Sequence, residues 1–239
     1  MATIAPKTTR APDPTREDSP LPLENGDRMA RVEFERRYNA MPGLKKAELI
    51  EGIVYMPSPV SLTRHGEPHS NVVFWLSFYK AKTPGVGTAA EASLRLDLDN
   101  EPQPDAMLYI RPEHGGQAKI SEDGFLEGAP ELVAEVSSST VSIDLNQKLN
   151  VYRRNGVCEY MVWRVLDRQI DWFELRDGDY IRLEPGEDGI YRSRIFLGLW
   201  LDPEAMVRDD TAAVLETLQR GTTSPEHGRF VEQLAAQKR

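Results

Sequence analysis

The sequence predicts an α+β fold in which a mixed β-sheet is flanked by helices, with additional β-hairpins and C-terminal helices. Two apolar runs, residues 106 to 110 and 132 to 136, have the length and composition of strands that are covered on both faces. Apolar side chains recur at helical spacing between residues 67 and 80, and a second helix is predicted over residues 145 to 154. Helices therefore precede and follow the two covered strands.

Hairpin and turn signals account for much of the remaining chain. A hairpin is predicted over residues 47 to 56, turning near Glu51-Gly52, and residues 94 to 98 alternate as a half-buried strand. Residues 84 to 87 are predicted as a turn, and residues 111 to 129 as a charged, glycine-rich loop. The other predicted elements are a helix over residues 30 to 38, strands over residues 158 to 164, 168 to 174 and 180 to 183, and short segments at 190 to 191 and 195 to 196.

The length of 239 residues and the apolar content of 40% suit one globular domain with tails. Residues 1–28 are rich in Pro, Thr, Arg and Asp, so we expect a disordered N-terminal tail. This tail has no apolar core, so it is predicted to be neither a signal peptide nor a membrane span. The main domain is predicted over residues 29–202, followed by a C-terminal helical extension over residues 203–239 with helices at 204 to 220 and 225 to 238.

The charge and the cysteine content narrow the range of functions. A formal net charge of −9 is not typical of a nucleic-acid-binding protein, because Lys and Arg supply most of the affinity for phosphate backbones. A metal site lined by carboxylates would, however, add negative charge that the ion neutralises. The single cysteine, Cys158, excludes an intrachain disulfide and a cysteine-rich zinc site. We expect a reducing compartment, and hence a cytoplasmic protein.

An acid lies in the middle of the second apolar run. One face of this strand is formed by Leu132, Ala134 and Val136, and the other by Val133, Glu135 and Ser137. A covered carboxylate is costly unless a cation or strong donors meet it. From the residues alone, the partner of Glu135 is either a divalent metal shared with Asp105 or a buried ion pair with Lys148. Asp105 follows Pro104, which cannot donate to a sheet, so we expect Asp105 at the start of a strand, near an edge or mouth.

Four short motifs follow one another around these residues. They are Pro104-Asp105, Glu135-Val136-Ser137, the helical pattern Asp144, Lys148 and Tyr152, and Gly156-Val157-Cys158-Glu159-Tyr160. In this order they resemble the PD-(D/E)XK nuclease superfamily and, within it, the Uma-type restriction endonuclease family, which is also catalogued as a domain of unknown function. The resemblance extends from about residue 32 to residue 200 and implies a restriction-endonuclease-like sheet.

One position departs from the superfamily pattern. Where Glu-x-Lys would place a lysine at position 137, this chain has Ser137. The Uma-type proteins resemble it in carrying a lysine on the following helix, which here is Lys148. Lys148 and Tyr152 are four residues apart and share one helical face, and Asp144 is predicted to be the N-cap of that helix.

The resemblance implies a metal-dependent endonuclease that hydrolyses phosphodiester bonds in DNA. It implies that Asp105, Glu135 and the main-chain carbonyl of Val136 bind one Mg²⁺ or Mn²⁺, since hard cations prefer oxygen ligands. It also implies that Lys148 is the catalytic lysine, which orients the attacking water or neutralises charge on the phosphoryl oxygens. DNA is then the substrate, and the resemblance favours a homodimer.

Two other functions stay open from the sequence. A catalytically silent member of the fold would act as a DNA-binding or dimeric interaction module, which the displaced lysine and the acidic composition favour. A metal-dependent phosphoesterase for a small substrate would use the same carboxylates without a basic groove. Salt-dependent retention on DNA separates these two functions from each other, and turnover separates both from the nuclease.

Several polar residues near these motifs have two possible roles. Glu48 is either a further acid of the site or a solvated acid at a strand edge. His65 and His69 lie at the start of the predicted helix over residues 67 to 80, where they either contact phosphate or a metal-bound water, or are capping or surface residues. A group of arginines either faces phosphates or forms a solvated face: Arg153, Arg154, Arg164 and Arg168.

Overall fold

The fold is organised around one six-stranded sheet with smaller sheets at its margins. The computed structural model describes residues 20–56 and 61–238. In chain order the strands are β1 (Glu48–Ile50), β2 (Ile53–Tyr55), β3 (Val86–Ala90), β4 (Leu94–Arg95), β5 (Ala106–Ile110), β6 (Lys119–Ile120), β7 (Leu126–Glu127), β8 (Leu132–Ser137), β9 (Glu159–Arg164), β10 (Gln169–Arg176), β11 (Asp179–Arg182), β12 (Tyr191–Arg192) and β13 (Trp200–Leu201). The α-helices are α1 (Arg31–Asn39), α2 (Glu67–Lys82), α3 (Leu149–Asn155), α4 (Pro203–Val207), α5 (Thr211–Thr222) and α6 (Pro225–Ala236), and π-helical turns at Leu62–Gly66 and Ile143–Lys148 lead into α2 and α3.

The large sheet confirms the predicted mixed topology. Its strand order is β11, β10, β9, β8, β5, β3. β8 and β9 run parallel, and α3 lies between them in sequence, as a parallel connection requires. The other neighbouring pairs of this sheet are antiparallel. The predicted α+β fold is therefore confirmed, and the strand that carries Glu135 lies inside the sheet.

β8 shows the alternation that the sequence predicts. Leu132, Ala134 and Val136 belong to the main core, together with Trp75 of α2 and Trp172 of β10. Val133 belongs to a second core on the other face of the sheet, with Tyr152 of α3. All six residues of β8 are buried. Glu135 shares the face of Val133, so its carboxylate is enclosed between the sheet and the segment that contains α3.

The predicted hairpin is formed by β1 and β2. Its turn residues Glu51 and Gly52 have φ values of 53° and 72°, and such positive values at both positions are typical of a tight hairpin turn. The Tyr55 hydroxyl of β2 donates to Gln147 at 3.0 Å. The hairpin therefore packs beside the π-helical turn before α3, which brings β1 close to Lys148.

Two strand predictions are wrong in detail. Residues 84 to 87 are not only a turn, because β3 begins at Val86 and pairs with β5 at the sheet edge. Gly87 permits this pairing, since a Cβ there would overlap the Tyr109 ring that lies over the strand. The strand predicted over residues 94 to 98 is reduced to the two residues of β4, which pair with β7 in a separate three-stranded sheet.

Two helix predictions also need correction. Asp144 is not an N-cap, because the helix begins three residues earlier and the Asp144 carboxylate accepts the Thr140 hydroxyl at 2.6 Å. The helix predicted over residues 204 to 220 is divided into α4 and α5. Asp209 has a left-handed φ of 62° between them, and the Asp210 side chain caps the start of α5.

Both ends of the described chain pack onto the fold. Residues 1–19 of the predicted tail lie outside the described residues, but Leu23 is only 3% exposed and the Gly26 N–H donates to the Val54 oxygen at 2.8 Å. The last two helices place four apolar side chains in the main core: Val214, Leu218, Phe230 and Leu234. Within residues 20–56 and 61–238, no helix is both long and apolar enough to cross a bilayer.

Gly221 of α5 lies against the main chain at Gly198. A Cβ at position 221 would overlap the Gly198 oxygen and lie 2.8 Å from the Trp200 ring, whereas a Cβ at Gly228 of α6 would meet nothing within 4 Å. We expect Gly221→Ala to lower the free energy of unfolding by about 1–3 kcal/mol. Gly228→Ala should leave it unchanged or raise it by up to about 1 kcal/mol. Urea unfolding measures both, and equal midpoints would contradict the close packing of α5.

Candidate active site

Two carboxylates meet where β5 begins and β8 ends. Asp105 directly precedes β5 as predicted, although β5 lies inside the sheet rather than at its edge. The Asp105 Oδ2 accepts the Val136 N–H at 2.7 Å, and the Asp105 N–H donates to Glu135 Oε2 at 3.3 Å. Asp105 and Glu135 are only 5% and 3% exposed. The sheet register thus brings together two acids that are 30 residues apart in sequence.

Lys148 forms the centre of an ion-pair cluster around Glu135. Its Nζ donates to Glu135 Oε1 at 3.0 Å and lies 2.9 Å from Glu48 Oε1. Asp144 Oδ1 lies 3.8 Å from the same ammonium. Tyr152, one helical turn later, donates its hydroxyl to Glu135 Oε1 at 3.0 Å. The buried ion pair, one of the two partners that the sequence leaves open for Glu135, is therefore present.

The cluster contains more negative than positive charge. Burial raises the pKa of Glu135 and the nearby acids reinforce this shift, whereas the Lys148 ammonium opposes it and favours the carboxylate. Burial alone would lower the pKa of Lys148, but the three carboxylates around it hold that pKa well above its usual value. One enclosed ammonium thus faces the carboxyl groups of Glu48, Glu135 and Asp144, and Asp105 lies beside Glu135. A divalent cation would correct this imbalance, since buried charge needs a partner.

The β1–β2 hairpin and the residues before it contribute two further side chains. Glu48 Oε1 accepts the Gln103 N–H at 2.8 Å in addition to its contact with Lys148, so Glu48 belongs to the site and not to a solvated edge. Lys46 Nζ lies 3.8 Å from Asp105 Oδ1 and 3.8 Å from Glu91 Oε1. The site therefore contains a second ammonium, beside the other acid of the pair.

His65 and His69 both contact the strands that carry the acids. His65 Nδ1 lies 3.0 Å from the Val136 main-chain oxygen, and His69 Nε2 lies 2.8 Å from the Asp105 main-chain oxygen. Because a carbonyl oxygen only accepts, these two ring nitrogens carry hydrogens. His65 Nε2 then lies 3.6 Å from Asp105 Oδ1. The histidines are therefore part of the site rather than capping or surface residues.

Oxygen atoms suited to a hard cation are present at the acid pair. Asp105 Oδ1 accepts no hydrogen bond from the described residues, and Glu135 Oε2 has only the 3.3 Å contact with the Asp105 N–H. The Val136 carbonyl keeps one lone pair beside His65. Within the part of the chain that the structure describes, no three His, Cys, Asp or Glu side chains are arranged to hold a metal. The donor set instead fits an ion such as Mg²⁺ that keeps several water ligands.

The arginine group is largely paired within the protein. The contacts are Arg153 with Asp179, Arg154 with Glu51, and Arg164 with Asp167 and Asp171. The pairs of Arg153 and Arg154 are partly or fully exposed and such pairs add little stability, whereas Arg164 is 17% exposed and pairs with the fully buried Asp171. Of the two roles that the sequence leaves open for these arginines, a salt-bridged solvated face describes Arg153 and Arg154 better.

Two members of the site, Asp144 and Lys46, were not predicted as site residues from the sequence. Asp144 was predicted as an N-cap, but it lies four residues before Lys148 on a helical segment, so their spacing was itself a signal for pairing. Lys46 lies two residues before Glu48, and in an extended segment such residues share a face. That signal becomes useful only when Glu48 is already known to lie at the site, which the sequence does not establish.

Residues 32–204 match the Uma2 family, which is described as "Putative restriction endonuclease". Among solved structures, the chain is similar to "a putative nuclease belonging to DUF820" from Anabaena variabilis ATCC 29413, with a TM-score of 0.47 and 14% sequence identity over 67% of this chain and 90% of that one. No curated protein matches the sequence significantly. The family match covers most of the 239 residues and every segment that contributes to the acid pair and its lysines. The chain therefore belongs to the Uma2 family.

Proposed function

We propose that this protein is a metal-dependent endonuclease that hydrolyses phosphodiester bonds in DNA, and that it acts in the cytoplasm as a homodimer. The observation that carries the proposal is the buried pair of Asp105 and Glu135, in which each carboxylate keeps one oxygen without a short hydrogen bond from the described residues. The description of the Uma2 family as a restriction endonuclease supports the same reaction class.

The proposed ligands are Asp105 Oδ1, Glu135 Oε2 and the main-chain oxygen of Val136. All three are oxygens, which Mg²⁺ and Mn²⁺ prefer. When bound, such an ion polarises the phosphoryl oxygen and lowers the pKa of a bound water. Asp105 and Glu135 would also neutralise the charge of the ion, so that the buried cluster approaches electrical balance.

The neighbouring side chains hold the proposed ligands in place. Lys148 and Tyr152 both donate to Glu135 Oε1, which leaves Oε2 on the side of Asp105. The Val136 N–H holds the other oxygen of Asp105. Groups that are fixed before the reaction cost no reorganisation when charge develops. In this proposal the role of Lys148 is to position Glu135 through their 3.0 Å contact.

Metal binding and plasmid cleavage, measured on the same samples, test the proposal. We expect the wild type to bind Mg²⁺ or Mn²⁺ in titration calorimetry and to nick or linearise supercoiled plasmid. Asp105→Asn removes the charge of one proposed ligand and should abolish both metal binding and plasmid cleavage. Glu187→Gln, which changes an exposed acid, should keep both. If the wild type binds neither ion, the acid cluster is structural and the endonuclease proposal is refuted.

A catalytically silent DNA-binding module is the second candidate. The observation in its favour is the enclosure of Lys148, whose side chain is only 7% exposed and faces three carboxylates. Such a module would retain DNA in a salt-dependent manner without cleaving it. Metal binding without cleavage, combined with DNA retention, would support this candidate over the endonuclease.

A further inference from the structure

The ammonium of Lys148 is enclosed by three carboxylates. Its Nζ lies within 3.0 Å of a Glu135 oxygen, 2.9 Å from a Glu48 oxygen and 3.8 Å from an Asp144 oxygen. The Glu135 and Glu48 oxygens are within hydrogen-bond length of this ammonium and the Asp144 oxygen is not, but the Lys148 side chain is only 7% exposed. A phosphate that enters the site would have to displace one of these acids to reach Lys148. Another cation is needed at the surface of the site.

Lys46 is more exposed than Lys148 and lies beside the other acid of the pair. Its Nζ is 3.8 Å from Asp105 Oδ1, the oxygen that we propose as a metal ligand, and 3.8 Å from Glu91 Oε1. Both distances exceed hydrogen-bond length, and the Lys46 ammonium makes no hydrogen bond to any residue in the described ranges. The Lys46 side chain is 21% exposed, compared with 7% for Lys148. Lys46 is therefore close to the acid pair and open to a ligand.

The alternating pattern of residues 46 to 49 explains why both lysines lie at one site. Lys46 and Glu48 alternate with the buried residues Ala47 and Leu49. In an extended segment this alternation places Lys46 and Glu48 on the same face. Glu48, the first residue of β1, contacts Lys148 in the interior, and Lys46 lies two residues before β1.

We propose that Lys46 is the catalytic ammonium that contacts the scissile phosphodiester, an inference that rests on the proposed function. In the hydrolysis, a water oxygen bonds to phosphorus and one P–O ester bond breaks. One proton of the water goes to the leaving hydroxyl and the other to solvent. Lys46 stabilises the negative charge that develops on the phosphoryl oxygens, beside Asp105. Lys148 keeps the positioning role through Glu135.

The test compares Lys46→Met with Lys45→Met, which removes the same charge from the adjacent exposed lysine. Two quantities are measured: the single-turnover cleavage rate in Mn²⁺, and the salt dependence of binding to a short fluorescent DNA duplex in Ca²⁺. Lys46→Met should lower the rate by about 10²-fold or more. It should also lower the slope of log affinity against log salt by about one, as the loss of one phosphate contact requires. Lys45→Met should keep the wild-type rate, and both variants should keep the wild-type melting temperature.

The outcomes distinguish a failure of this inference from a failure of the proposed function. Wild-type cleavage with equal rates for the two lysine variants would overturn the role of Lys46 and leave the endonuclease intact. A wild type that binds DNA without cleavage, with a reduced salt slope for Lys46→Met alone, would refute the endonuclease and support the phosphate contact. A wild type that neither cleaves nor binds the duplex would overturn both. Lys46→Arg, which keeps the charge, should retain the wild-type salt slope if the contact is electrostatic.

Discussion

Glu135→Gln should lower the rate of DNA cleavage by about 10³-fold or more while the protein stays folded. The glutamine oxygen can still accept from Lys148 and Tyr152, so the contacts of Oε1 are kept. The amide NH₂ replaces Oε2, which we propose as a metal ligand, and an amide nitrogen does not bind a hard cation. Single-turnover cleavage and urea unfolding of the same preparation measure the two effects separately.

Glu131→Gln is the matched control for this prediction. Glu131 is also buried, at 5% exposure, and lies four residues before Glu135, but its carboxylate accepts the N–H groups of Ile110 and Gln117 at 2.7 and 3.1 Å. Replacing it leaves one of these N–H groups without an acceptor and should cost about 1–3 kcal/mol of stability. Cleavage should be unaffected. If Glu135→Gln cleaves DNA as fast as Glu131→Gln, Glu135 is not a metal ligand in the reaction.

The parts of the fold that local pattern determines were predictable from the sequence. The alternation of β8 placed Glu135 on the face opposite Leu132 and Ala134, because a strand has a two-residue period. The turn at Glu51 and Gly52 was predictable in the same way, from residue types that suit a tight hairpin. In contrast, β3 was missed because its small residues have no clear alternation and Gly87 is needed there only for contact with Tyr109.

The contacts that complete the candidate site were not predictable, because they join distant segments. His65 lies 71 residues from Val136, and Tyr55 lies 92 residues from its partner Gln147. Periodicity within a segment carries no information on which loops meet in space. Lys148 was predicted from the residues as a possible ion-pair partner of Glu135 and from the resemblance as the catalytic lysine, but neither prediction specifies that Glu48 lies 2.9 Å from its ammonium. That contact changes the expected consequence of replacing Lys148.

Lys148→Met should destabilise the protein strongly, in addition to any effect on cleavage. The change leaves Glu48, Glu135 and Asp144 enclosed without their shared ammonium. Removing one partner of a buried ion pair typically costs about 3–5 kcal/mol, because the remaining charge is desolvated and uncompensated. Urea unfolding at neutral pH measures the loss. Lys119→Met, which removes an exposed lysine, should change stability by less than about 0.5 kcal/mol.

A triple variant tests whether charge is the cause of this loss. Combining Lys148→Met with Glu48→Gln and Glu135→Gln removes the ammonium together with its two closest carboxylates. Neutral groups of similar size cost little to bury compared with unpaired ions, so this variant should regain most of the stability lost by Lys148→Met. If the triple variant is as unstable as Lys148→Met, the lysine stabilises the fold through packing of its aliphatic chain. If Lys148→Met alone unfolds at the wild-type urea concentration, the acids are already protonated or solvated in the folded protein. In that case Lys148 is not needed to hold Glu135, and its positioning role fails.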